Sequence, residues 1–206
     1  MAPAPKSLLQ IAGAPLNPSP LNASVLVIID AQLEYVKGGL PLAGVDAAIR
    51  EAALLLAVAR KIAMPVFHIV QHAPAGRPLF AEDGPYAAIV PQLNPAAGEI
   101  VLRKTLPNSF AGTDLHELIQ STGRKEIVFA GFMTHMCVSA SARAALDLKY
   151  RSTVVANATA TRDLPDPLGG MIPASVVHRT ALSELADRFA IVVKDTAALL
   201  PQQTTA

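Results

Sequence analysis

The sequence predicts an α/β fold of three layers, with a mostly parallel six-stranded sheet between helices on both faces. Three observations carry that expectation. Short, continuously apolar runs rich in β-branched residues, such as VLVII at 25–29, read as strands covered on both faces. Longer stretches with a helical apolar stripe alternate with them. The repeated strand–helix–strand order calls for crossover connections, and those join parallel strands. A chain of 206 residues suffices for one such domain and is short for two. Residues 24–200 are therefore expected to form a single domain. Residues 1–23 are read as an extended N-terminal arm, ordered by packing on a partner subunit.

In chain order, Val25 to Ile29 is the first strand, and Val45 to Ile62 a helix that must end before Pro65. Val66 to Val70 is the second strand and Ile100 to Arg103 the third, followed by a helix from Asp114 to Gln120. Glu126 to Ala130 is the fourth strand, and an alanine-rich helix from Thr134 to Tyr150 follows it. Ser152 to Ala156 is the fifth, Ala174 to Arg188 a late helix, and Ile191 to Val193 the sixth strand. Gln71 to Gly98 breaks the rhythm: it is long and holds five prolines. A loop of that length in a compact domain is usually a lid, a binding loop or an assembly arm.

Composition narrows the function. A net charge of +1 without any Lys/Arg-rich run argues against nucleic acid as a partner. No apolar stretch approaches the roughly 18 residues that span a bilayer, so no membrane association is expected. One cysteine leaves no internal disulfide framework and no cysteine-rich zinc site. Prolines interrupt MAPAPKSLLQIAGAPLNPSPL, which lacks the apolar core of a signal peptide. A cytoplasmic protein is expected, acting on a small molecule, with no cofactor, and forming a homo-oligomer through its arm and its proline-rich loop.

Ligands of open parallel sheets bind at the carboxyl ends of the strands. Asp30 closes the first strand, Lys104 follows the third, and Cys137 stands one helical turn beyond the fourth. A helix N-terminus favours thiolate over thiol, so Cys137 is expected to titrate below the free value of about 8.5 and to serve as a nucleophile. Asp30, partly desolvated, can take its proton and return it to a leaving group. Lys104, at the rim, can hold the carboxylate and offset the thiolate. N–H groups of the FMTHMC turn can form an oxyanion hole. Taken singly, these residues also read as a cap, a surface charge and a buried apolar thiol.

The segments VLVIIDAQLEYV, RKTLPNSFAGTDL, GFMTHMCVSASARAALDLKY and VVANATATRD together resemble the isochorismatase-like cysteine hydrolases, which include nicotinamidases, N-carbamoylsarcosine amidases and ureidoacrylate amidohydrolases. The resemblance runs from Ser24 to Asp163 and implies a Rossmann-like fold. It implies a catalytic triad of Asp30, Lys104 and Cys137, oxyanion donors at the backbone N–H groups of Met133 and Cys137, and a cis peptide between Phe132 and Met133. Substrate-pocket candidates are Tyr35, His72, Phe110 and His135. Gln32 is read as a loop buttress, Asn157 as a cap, and Arg162 as standing near the same rim.

Two departures from that family are informative. Metal-dependent relatives take ligands from the stretch after the first strand, yet EYVKGGLPLAGVDAAI has no histidine. His68 is read as a satisfied strand residue, and no metal is expected. True isochorismatases lack the cysteine, so Cys137 points to hydrolysis of a C–N bond in a small amide or carbamoyl compound. Two rivals stay open: vinyl-ether hydrolysis with Cys137 a bystander, and a non-catalytic assembly protein of the same fold.

Overall fold

The computed structural model describes residues 4–200. Its strands are β1 (Ser24–Ile29), β2 (Val66–Gln71), β3 (Ile100–Lys104), β4 (Glu126–Phe132), β5 (Arg151–Ala160), β6 (Leu164–Pro165), β7 (Met171–Ile172) and β8 (Ile191–Val193). Six of them form one parallel sheet in the order β3-β2-β1-β4-β5-β8, while β6 and β7 pair as a small antiparallel hairpin. The chain builds outward from β1 to the β3 edge, then returns to the other side of β1 with β4. That reversal makes the carboxyl ends of β1 and β4 the switch point where a crevice opens.

The helices are α1 (Leu8–Ile11), α2 (Val45–Lys61), α3 (Leu115–Ser121), α4 (Ser139–Asp147) and α5 (Ala174–Glu184). Side-chain alternation in β1 explains its unbroken apolar run. Leu26 and Ile28 join Ala52, Leu55 and Leu56 of α2 in one core, whereas Val25, Val27 and Ile29 face Leu115, Ile119 and Ala142 of α3 and α4 in the other. Each such side chain, fully buried, contributes about 1.5–3 kcal/mol relative to exposure. The sheet is thus fixed from both faces.

β2, β3 and β4 run one or two residues further than the sequence reading, the β6–β7 hairpin was not expected, and three further differences are larger. β5 continues to Ala160 rather than stopping at Ala156, because its pairing with β4 slips between Phe129 and Gly131 and leaves Asn157 facing solvent. That exposed residue interrupts the apolar run and hides the strand's second half. The alanine-rich helix begins as a π-helical turn, Thr134–Val138, before α4. The arm, expected to be extended, contains α1, closed by a capping box between Ser7 and Gln10. The arm lies on its own chain: the Leu8 N–H donates to Asp187 Oδ1 at 2.8 Å and the Ser19 N–H to Thr153 Oγ1 at 2.8 Å. Its first three residues lie outside the described ones.

Candidate active site

Asp30, Lys104 and Cys137 meet at the switch point. Lys104 Nζ lies 2.8 Å from Asp30 Oδ2, 3.3 Å from Cys137 Sγ and 2.7 Å from Gln71 Oε1. Two strand spacings, about 9.5 Å, separate β3 from β1, so only a long side chain on β3 can reach Asp30 across β2. Gln71 ends β2 directly opposite Lys104 in register and accepts a hydrogen bond from the lysine. The sequence reading ended β2 at Val70 and missed Gln71. The available signal was the parallel register, which brings the last residue of the middle strand beside the lysine.

The local backbone is shaped to present these groups. Asp30 has φ +50°, a left-handed conformation, held by its N–H donating to Ile69 O at 2.8 Å and its carbonyl accepting from the Gln32 N–H at 2.7 Å. Gln32 acts as the buttress read from the sequence: its amide bonds the Gln71 N–H, the Gln71 carbonyl and the Ala87 carbonyl. Beside it, Gly131 has φ +109°, and a Cβ there would sit 2.0 Å from the Ile29 carbonyl oxygen. Only glycine permits that approach. The Phe132–Met133 peptide is cis, and both Met136 and Val138 donate to the Met133 carbonyl. Ser141 Oγ bonds the Cys137 carbonyl at 2.7 Å and Ser109 Oγ at 2.8 Å, tying the loop after β3 to the cysteine's turn.

The electrostatics revise one expectation. Asp30 is fully buried, and burial pushes its carboxyl above the ordinary range, an effect that the adjacent Lys104 ammonium only partly offsets. Lys104 makes an ion pair with Oδ2, while among the described residues neither carboxylate oxygen has an aligned hydrogen-bond donor. The Cys137 thiol is pushed up to about 12, first by burial and then by the Asp30 charge, with Lys104 opposing. A lowered thiol value was expected from the helix N-terminus. Instead, Cys137 is the fourth residue of the π turn, enclosed beside a carboxylate, and those terms outweigh the dipole. The resting group is a thiol in contact with the Asp30 carboxyl.

Of the pocket candidates, Tyr35 is buried edge-on against Phe80 and Phe132, at centroid distances of 5.2 and 5.8 Å. Burial and the charges of Asp30 and Cys137 raise its hydroxyl above the ordinary range, which places it in the field of the cluster. His72 donates its backbone N–H to the Lys104 carbonyl, but its ring turns outward to Glu82 at 3.7 Å. His135 bonds Thr161 Oγ1 at 2.6 Å, and burial, with Arg162 nearby, lowers its pKa. Phe110 is not brought to the cluster. It stacks on Tyr150, which precedes β5 at the amino-terminal end of the strands, because its apolar ring packs into the core on the α3/α4 side.

His178 is half-buried and bonds Thr134 Oγ1 at 2.9 Å beneath the cysteine's turn. His68 is only half satisfied: its Nε2 lies 2.8 Å from Glu99, which Arg60 also grips at 2.7 and 2.9 Å, while its buried Nδ1 has no hydrogen-bond partner among the described residues. Among the described residues, no three His, Cys, Asp or Glu side chains gather closely enough to hold a metal ion. Nor, among them, is any helix long and apolar enough to cross a membrane.

Fold and site together define an α/β protein whose reactive groups stand at the carboxyl ends of a parallel sheet. Residues 24–197 match the isochorismatase domain, and the chain belongs to that family. The crystal structure of an isochorismatase from Pseudomonas putida superposes with a TM-score of 0.90 at 40% identity, covering 96% of this chain and all of the other. The secreted isochorismatase effector Isc1 of Verticillium dahliae is 37% identical over 91% of this chain and 96% of its own length. Maleamate amidohydrolase of Pseudomonas putida is 35% identical over 63% of this chain and 68% of its own length.

Proposed function

We propose that this protein is a metal-independent cysteine hydrolase that cleaves a C–N bond of a small amide or carbamoyl compound through a Cys137 thioester. The observation that carries the reading is the pair of contacts made by Lys104, to Asp30 and to Cys137 Sγ, inside a dry site. Likeness to a maleamate amidohydrolase supports the same chemistry.

In this mechanism Asp30 takes the thiol proton as sulfur attacks the carbonyl carbon. Proton transfer and attack are coupled, since the thiol alone is a weak acid. The carbonyl oxygen, now an oxyanion, receives the N–H groups of Met133 and Cys137; one such donor is worth about 2.7–4 kcal/mol. Collapse breaks the C–N bond, and the departing nitrogen takes the proton from Asp30. Water then gives a proton to Asp30 and attacks the thioester; collapse releases the acid, and the proton returns to sulfur. Lys104 stands beside both Asp30 and Cys137 and balances whichever of them is anionic.

A screen of small primary amides, ureides and carbamoyl amines tests this, read by ammonia release and by intact mass for an acyl adduct on Cys137. The reading fails if no compound turns over or if Cys137→Ala remains active. Vinyl-ether hydrolysis with Cys137 a bystander is the second reading, favoured by the raised thiol and by likeness to a structure described as an isochorismatase. It requires activity to survive that substitution.

A cytoplasmic homo-oligomer completes the proposal. The lone free cysteine suits a reducing compartment, and exposed Leu54, Ile62 and Leu200 offer apolar surface for self-association. Cell fractionation tests the location, with the secreted Verticillium relative as the contrary precedent. Light scattering on the purified chain tests the assembly.

A further inference from the structure

A cavity of about 240 Å³ lies where the arm crosses the amino-terminal ends of β5 and β8, at the opposite end of the strands from Cys137. Leu9 and Ala14 of the arm, Leu146 beyond Cys137 on α4, and Phe189 and Ile191 form most of its wall. Its charge distinguishes it from a packing void. The lining contains Lys149, Arg151 and Arg188 but no acidic residue. Arg151 is neutralised by Glu126 at 2.9 Å, whereas neither Lys149 nor Arg188 has an ion-pair partner among the described residues.

We propose that this cavity binds a small amphipathic anion: an apolar or aromatic body against Leu9, Leu146 and Phe189, with a carboxylate reaching Lys149 and Arg188. An apolar interior with unneutralised cations at its rim favours such a molecule over a neutral one or a cation. At about 240 Å³ it exceeds the roughly 150 Å³ of a cavity that binds benzene, which leaves room for a short-chain or benzenoid acid. The arm is the clasp, pinned by the Leu8 bond to Asp187 and the Ser19 bond to Thr153. The site stands independently of the chemistry proposed for Cys137.

The test is calorimetric titration of the full chain with benzoate and with benzyl alcohol, its uncharged isostere, alongside amide NMR shifts of residues 146–152. Benzoate is expected to saturate one site per chain and to bind at least about tenfold tighter than the alcohol. Lys149→Glu combined with Arg188→Glu, both at exposed positions, should erase that preference and leave the alcohol unaffected. Ala14→Phe, which fills the cavity, should abolish binding of both. Cys137→Ala should bind benzoate as the native chain does; loss of binding there would place the anion at the triad and overturn the proposal. Absence of saturation, equal affinity for the two probes, or indifference to the charge reversal overturns it as well. Binding that fades as protein concentration rises would show a second copy of the chain in the cavity, with the same consequence.

Discussion

Lys104 Nζ sits 2.8 Å from Asp30 Oδ2 with both side chains wholly inaccessible to solvent, so the pair is buried rather than displayed at a rim. The sequence reading put Lys104 at the rim, where losing a charge has little structural cost. Burial reverses that expectation, because removing one partner strands the other's charge in a dry site. Lys104→Met should destabilise the fold by about 3–5 kcal/mol. Adding Asp30→Asn should recover much of the loss, and denaturant titration of the single and double variants reads this directly. A Lys104→Met protein as stable as the native would mean the pair is hydrated.

Cys137→Ala should lower turnover by at least about 10⁴-fold, as removal of a nucleophile does, while the circular dichroism spectrum is retained. Because the thiol is pushed up to about 12, alkylation of the native protein by iodoacetamide should keep rising through pH 9. A plateau near neutrality would show a preformed thiolate and contradict the environment described for it.

Gly131→Ala should destabilise by about 4 kcal/mol or more, since the added Cβ meets the Ile29 carbonyl at 2.0 Å in a left-handed backbone. Thermal melts will decide. A near-native melting temperature would require β1 and β4 to part at the site.

Glu99 governs an acid transition distant from the triad. Burial alone would raise its carboxyl, but hydrogen bonds from Arg60, the Ala96 N–H and His68 together bring it down to about 2. A carboxylate lower in the folded state than in the unfolded one stabilises above its unfolded value, about 4.5, and that contribution is lost as pH falls toward 2. Glu99→Gln should therefore be less stable than the native chain at pH 7, with the difference shrinking between pH 4.5 and 2. A difference constant across that window would exclude the linkage.

Exhaustive dialysis against EDTA should leave turnover of any amide substrate unchanged. His68 is committed to Glu99, His135 to Thr161 and His178 to Thr134, so these donors do not converge on Asp30. Loss of activity restored by a divalent ion would locate ligands that this arrangement does not bring together.

Much of this protein is written locally. VLVII at 25–29 can only be a strand covered on both faces, and Asp30 stands at its end because the apolar run stops there. The same logic set Lys104 and Cys137 at strand ends, and order along the chain implied a parallel sheet. What local sequence could not decide is whatever depends on which strands become neighbours. Strand β2 lies between β3 and β1, and that alone makes Gln71 a partner of Lys104. The slip between β4 and β5 hid half of β5, and Phe110, near Lys104 in sequence, packs toward the amino-terminal end of the strands because the core there accepts its ring. The thiol's acidity was misjudged for the same reason. A helix end is visible in sequence, but the depth of burial and a carboxylate from another strand arise only when the sheet assembles.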